Sequence, residues 1–279
     1  MLFERVLVSI DFSQQSKLLL NCVDEFKNYG MKEMILAHIV DIRSAGGNAS
    51  NLISPNEEKL NKMKQDLKKE GIEVEVVVRI GFPAEELSNI SREENASLIL
   101  AGSHGGGFIK SLFLGSTAFD LLRITDTPLL IERFQQDKGE LKPYCRLKFP
   151  QVLIATDFSE CSIKLLDAVG ENRGIFSQIH LLHVIESAPN KDKLEKMKED
   201  ARSLLEKIKA GVDGRIEVFT HVQVGDAAKK IIAVAQKEEV NLIMLSKKGH
   251  GGAREMLLGS TAQAVASGSV KNAVLVFPC

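Results

Sequence analysis

Short apolar runs alternate with amphipathic segments along the whole chain. Leu2 to Ile10 is a β-rich apolar run, closed by Asp11-Phe-Ser13. Ser13 is placed to cap a helix carrying Leu19, Cys22, Val23 and Phe26 at helical spacing, and Gly30 ends it. Met34 to Val40 reads as a second strand, followed by a polar segment with Gly46-Gly47 and a charged helix from about Pro55 to Glu70 that Gly71 stops. Ile72 to Ile80 alternates and is rich in valine, a third strand. Gly81-Phe-Pro83 turns the chain into a helix, with Pro83 in its first turn. Leu98 to Ala101 is a fourth, buried strand, and Thr127-Pro128 introduces a fifth that runs to Glu132. Alternation of strand and helix predicts an α/β fold, a parallel sheet with helices on both faces.

The pattern then repeats. Gln151-Val-Leu-Ile-Ala-Thr-Asp157-Phe-Ser159 echoes Arg5-Val-Leu-Val-Ser-Ile-Asp11-Phe-Ser13, Leu182-His183-Val184 echoes Ala37-His38-Ile39, and Val224-Gly225 echoes Ile80-Gly81. The spacing between matched positions stays near 145 residues throughout. Two tandem copies of one domain are expected: residues 1–133, a polar, proline-containing linker at 134–149, and residues 150–279. Each copy ends in a short apolar strand, Ala273 to Phe277 in the second. An exposed apolar edge is a hazard that pairing removes, so the copies are expected to form an internal pseudo-dimer.

The chemistry concentrates after the fourth strand. Leu98 to Ala101 empties into Gly102-Ser-His104-Gly105-Gly-Gly, where glycine lets backbone N–H groups approach a ligand closely. Nine residues separate Gly105 from Gly115, and Gly115-Ser116-Thr117 opens the next apolar-periodic segment, reading as a helix start with a hydroxyl cap. A glycine loop facing a helix N-terminus suits an anion, phosphate above all. No Lys-Ser/Thr follows a Gly-x-x-x-x-Gly, which excludes a Walker loop, and no Gly-x-Gly-x-x-Gly follows the first strand. A ligand-free glycine turn is the plainer alternative.

The Gly-x-x-Gly, nine residues, Gly-Ser/Thr spacing resembles the nucleotide-binding signature of the universal stress protein family, and the repeat carries the resemblance over both copies. It implies two tandem open five-stranded parallel-sheet domains of the Rossmann-like, adenine-nucleotide hydrolase-like kind. It implies an adenine nucleotide, AMP, ADP or ATP, with or without Mg²⁺, a stress-related role, and dimerisation, here within the chain or as a homodimer. Carried over by position, the phosphates would meet Gly102, His104, Gly105, Gly115, Ser116 and Thr117. Asp11 would accept from the ribose, Ser9 and Ile10 would flank the base, and Ile39 would meet adenine. In the second copy the matching set is Ala155, Thr156, Asp157, Val184, Ser246, Lys248, Gly249, Gly259, Ser260 and Thr261. Ser246 replaces the first glycine there, and Lys247-Lys248 follow it. The anion end is intact by pattern, so the second copy is expected to bind as well, with a different affinity.

Composition narrows the remaining choices. Lys+Arg 36 against Asp+Glu 37 leaves a net charge of −1, against bulk nucleic-acid or anionic-membrane binding. No apolar run reaches membrane-span length and the first residues read as a strand, so a cytoplasmic protein is expected. Cys22, Cys145, Cys161 and Cys279 are scattered, indicating neither a zinc site nor a disulfide framework. His38 and His183 sit in apolar runs and read as buried, hydrogen-bonded structural groups. His104 and His250 lie in the glycine loops without an evident carboxylate or nucleophile partner. With no activated nucleophile, base or metal cluster, binding rather than catalysis is expected. The alternatives are a slow ATP hydrolase or phosphotransferase of the same fold and a nucleotide-free interaction module.

Overall fold

The computed structural model describes residues 2–69, 71–104, 114–144, 147–250 and 258–279. The chain divides into two compact units, Met1–Pro143 and Tyr144–Cys279. In the first unit the order is β1 (Arg5–Ser9), α1 (Gln14–Leu18), α2 (Val23–Asn28), β2 (Glu33–Asp41), α3 (Ile42–Ala45), α4 (Ile53–Lys69), β3 (Glu73–Gly81), α5 (Pro83–Glu93), β4 (Leu98–Gly102), α6 (Ser116–Ile124), β5 (Leu129–Glu132), β6 (Phe134–Asp137) and β7 (Glu140–Pro143). The second runs β8 (Gln151–Ala155), α7 (Glu160–Glu171), β9 (Gln178–Ile185), α8 (Lys191–Ala210), β10 (Glu217–Val224), α9 (Ala227–Lys237), β11 (Leu242–Ser246), α10 (Ser260–Gly268) and β12 (Ala273–Phe277).

Each unit holds five parallel strands in the same order. β3 pairs β2, β2 pairs β1, β1 pairs β4 and β4 pairs β5. In the second unit β10 pairs β9, then β8, β11 and β12 follow in turn. The central strands are covered on both faces, which is why they read as unbroken apolar runs. Val6, Leu7 and Val8, Leu98, Ile99 and Leu100, and their counterparts Val152, Leu153 and Ile154 are all fully buried. α5 packs on α6, and α4 lies over β2 and β3. No described helix is long and apolar enough to cross a membrane.

In this order β1 and β4 are neighbours although the chain leaves them in opposite directions across the sheet. Ligands of open parallel sheets sit at that reversal, outside the carboxyl ends of the strands. Asp11 and Asp157 follow β1 and β8, and the glycine loops follow β4 and β11, so both copies bring these groups to the same place.

Four local readings change. The first helix is broken by a 3₁₀ turn at Leu19–Cys22 into α1 and α2, whereas its counterpart α7 is continuous. The glycine-containing segment after β2 is ordered as α3 and a 3₁₀ turn at Gly46–Leu52. Part of the expected linker forms the antiparallel β6–β7 hairpin, turned by Lys138 at φ 51° and Gly139 at φ 87°. Two successive positive φ values are what a two-residue hairpin turn requires. Finally, Cys161 and Cys279 are disulfide-bonded with Cα atoms 4.8 Å apart, correcting the expectation of no disulfide. Parallel topology returns the chain after β12 to the sheet edge where α7 begins, closing a separation of 118 residues. Cys22 is buried outside the disulfide, its Sγ 3.5 Å from Glu132 Oε2, and Cys145 lies outside the described residues.

A cross-link over a separation of 118 residues removes much of the unfolded chain's freedom, typically stabilising by about 2–4 kcal/mol. Cys161→Ser, or dithiothreitol on the wild type, is expected to lower the urea midpoint of the second unit, and the variant is expected not to respond to reductant. Equal midpoints with and without reductant would contradict the stabilising role.

Candidate functional site

The turn between strand one and helix one is built the same way twice. Phe12 and Phe158 sit at φ 63° and 62°, a left-handed conformation that a bulky residue adopts only when its surroundings enforce it. Each ring packs on the histidine of the second strand, with centroids 4.5 Å apart for Phe12–His38 and for Phe158–His183. Those histidines in turn donate from Nδ1 to the carbonyls of Ile10 at 2.7 Å and Thr156 at 2.9 Å. Both histidines are thus structural, as expected, and burial lowers the pKa of His38 despite that bond. Ser13 and Ser159 cap the following helices through the Ser16 and Ser162 amides. The carboxylates fold back on the same turn: Ser13 N donates to Asp11 Oδ1 at 2.9 Å, and Ser159 N to Asp157 Oδ1 at 3.1 Å.

The loop after the fourth strand is also matched. Gly115 N donates to Ser103 O at 2.7 Å, and Gly259 N to Lys247 O at 2.9 Å, tying the start of each following helix to the loop. A Cβ on Gly115 would lie 3.1 Å from Ser103 O, and one on Gly259 would lie 3.1 Å from Lys247 O. The expected hydroxyl cap is not what forms. Gly115 and Gly259 are themselves the N-caps, without a side-chain cap bond, and Ser116 and Ser260 occupy the first helical turn, exposed. Among the described residues no side chain accepts from the first-turn amides, the condition an incoming anion needs.

Around these anchors the other expected residues gather at the carboxyl edge. Ser9 ends β1 and Ile10 follows it, Ile39 lies in β2, Gly102 ends β4 with His104 two residues on, and Thr117 follows Ser116 in α6. Gly105 lies outside the described residues. In the second unit Ala155, Thr156, Asp157, Val184, Ser246, Lys248, Gly249, Gly259, Ser260 and Thr261 all line one cavity of about 320 Å³. That volume falls at the lower end of small-molecule sites, roughly 300–1,000 Å³. Leu182, Ile231 and Leu245 supply apolar wall between strand ends and α9. Ile231 carries no sequence signal for this, since its spacing is that of any core helix position.

The copies differ in two respects that sequence reasoning missed. A Cβ on Gly102 would meet His104 O at 3.2 Å and the Phe134 ring at 3.4 Å. In the second unit the register Ser246↔Phe277 against Gly102↔Glu132 makes Cys279 the counterpart of Phe134, and Ser246 is accommodated, its hydroxyl donating to Lys248 O at 2.8 Å. The second difference is at the aspartate. Asp157 Oδ1 accepts from both the amide and the hydroxyl of Ser159, the latter at 2.6 Å. Its Oδ2 accepts from His250 N at 2.8 Å and lies 3.4 Å from His250 Nδ1. His250 therefore has the carboxylate partner that the sequence did not reveal. Burial pushes the Asp157 carboxyl up, yet the bonds from Ser159 and His250 outweigh it and hold the group below the ordinary carboxylate value. His104 instead has Nδ1 3.3 Å from Ser103 Oγ. Among the described residues no three His, Cys, Asp or Glu side chains converge on a metal site.

These features define an open parallel α/β protein with a duplicated carboxyl edge. The sequence model of the universal stress protein family matches residues 2–133 and again 148–278, and the chain belongs to that family. It is similar to a universal stress protein of Methanocaldococcus jannaschii, at 27% identity over 47% of this chain and 94% of the relative. A universal stress protein of Mycolicibacterium smegmatis matches at 26% identity over 75% of this chain and 70% of the relative. Among solved structures, a universal stress protein from Archaeoglobus fulgidus superposes with a TM-score of 0.75 at 27% identity, covering 99% of this chain and 96% of that one.

Gly249 has no room for a side chain: a Cβ there would lie 2.3 Å from Asp157 Oδ2. Gly249→Ala is expected to push the loop off Asp157 and break the His250 amide bond. Amide exchange at His250 should accelerate roughly tenfold or more. Unchanged exchange in the folded variant would show that the loop tolerates the methyl.

Proposed function

We propose that the chain binds adenine nucleotides, AMP, ADP or ATP, one in each unit, and that binding serves a stress-response or signalling role. The observation that carries this is the glycine-capped helix start, repeated in both units, facing a loop and an aspartate across the β1–β4 and β8–β11 reversals. Phosphates are met by first-turn amides of α6 and α10 and by the loops that include Gly102, Gly105 and Gly249. Ser116, Thr117, Ser260 and Thr261 offer hydroxyls, and His104 and Lys248 offer donors to the same oxygens. Asp11 accepts from the ribose: it is exposed, and one oxygen already accepts from Ser13. The base lies against Ser9, Ile10 and Ile39 in the first unit and against Ala155, Thr156 and Val184 in the second. Because no metal cluster is formed by the described residues, Mg²⁺ would arrive on the phosphates. We assign the protein to the cytoplasm on the same reading.

Asp11→Ala removes a charged acceptor worth about 1.5–3 kcal/mol, and Gly115→Val drives a branched side chain into Ser103 O. Each is expected to raise the dissociation constant of the first site by roughly ten- to thirtyfold in titration calorimetry. Unchanged affinity and stoichiometry in both folded variants would remove the first site.

We also propose that residues 1–133 and 150–279 act as two domains joined by 134–149 and form an internal pseudo-dimer through their last strands. Support comes from β5 and β12, short apolar strands at the end of each unit's parallel order. Cysteines placed one at a time along β5 and β12, at Leu129 and Ala273 for example, are expected to cross-link in pairs at one register. No pair forming in the folded protein would refute the arrangement.

A further inference from the structure

The second unit pairs His250 with Asp157, the counterpart of Asp11. His250 lines the same cavity as Lys248, Gly259 and Ser260. Its amide is fixed on Asp157 Oδ2 at 2.8 Å and its Nδ1 faces that same oxygen at 3.4 Å. A carboxylate beside Nδ1 favours the tautomer with the proton on Nδ1, leaving a lone pair on Nε2. The imidazole is well exposed, 65% for the side chain, so Nε2 is open to a reactant. Glycine occupies the matching position, 106, in the first unit, so the pair belongs to one copy alone.

We propose that His250 is a phosphoryl acceptor and that the second unit transfers the terminal phosphoryl group of a bound nucleoside triphosphate to it. The proposal rests on the nucleotide-binding reading above. The Nε2 lone pair forms a bond to the γ-phosphorus, and the bond from that phosphorus to the β,γ-bridging oxygen breaks, its electron pair leaving with the nucleoside diphosphate. Asp157 keeps the proton on Nδ1 and balances the positive charge that develops on the ring, making it a positioning residue. Lys248 neutralises charge on the transferring group. Water then attacks the phosphorus of the phosphoimidazole, the N–P bond breaks, and orthophosphate leaves with one water proton released to solvent. The net reaction is ATP and water to ADP, orthophosphate and a proton, so no further reactant is needed. Asp157 already accepts from Ser159 and His250 through both oxygens, whereas among the described residues Asp11 accepts from Ser13 alone, which fits a division of labour between the copies.

The test uses the full chain with γ-³²P-labelled ATP and Mg²⁺, with ATP binding measured on the same sample by equilibrium dialysis. The expected result is a label stable to alkali and labile to acid, mapped by mass spectrometry to His250 and lost in His250→Gln. Asp157→Asn is expected to slow labelling roughly a hundredfold. Nitrogen-15 spectra should also move the His250 ring from the Nδ1–H tautomer toward Nε2–H, a change that mere loosening of the loop would not produce. ATP binding without label on His250 overturns this inference and leaves the binding reading standing. Orthophosphate release without a trapped phosphohistidine, even on rapid quench, also overturns it. Absence of ATP binding overturns both.

Discussion

Everything at the carboxyl edge depends on one strained turn. Phe12 and Phe158 hold a left-handed backbone that costs on the order of 1–3 kcal/mol, offset by a ring packed against a half-buried histidine and by a serine cap. Reversing the chain within three residues leaves the preceding aspartate at the strand tip. A more relaxed turn would carry the carboxylate off the edge and the helix off the sheet. The histidine does two jobs in this arrangement, packing against the ring and securing the first carbonyl beyond the first strand, which explains an imidazole inside an apolar strand.

Duplication has kept the frame and altered the contacts. Helix starts, loop-to-helix amide bonds and strand order agree between the units. What differs depends on neighbours far away in sequence. Phe134 fills the space beside Gly102, while its counterpart in the second unit is the disulfide-bonded Cys279, so a glycine that looks like a ligand requirement is partly a packing requirement. Gly249 is set in the same way by the Asp157 carboxylate. Such dependence lets one site diverge without disturbing the other.

Strands, their order and the duplicated edge were legible because period and repeat are local signals. The five strands of each copy announce themselves as apolar runs, and Asp-Phe-Ser recurs at a constant offset. Less legible were features made by distant residues. Asp157 and His250 are 93 positions apart and Cys161 and Cys279 are 118 apart, and no spacing rule connects either pair. The Lys138-Gly139 turn was readable in principle, but the polar composition around it masked two short strands. Serine beside a glycine N-cap misled in another way: the residue type suits a cap, yet the cap position falls one residue earlier.

The closure beyond the fifth strand is solved twice with different materials. In the first unit the chain past β5 continues as the β6–β7 hairpin, and β7 rests against α1. In the second unit the chain past β12 is bonded through sulfur to α7, whose counterpart of Cys161 in the first unit is Gln15. One half of the molecule therefore carries its closure in contacts that ignore electron supply, and the other carries it in a bond whose survival depends on the surrounding thiol pool. A single chain thus possesses one half closed by contacts and one half closed by a bond that reductant can open.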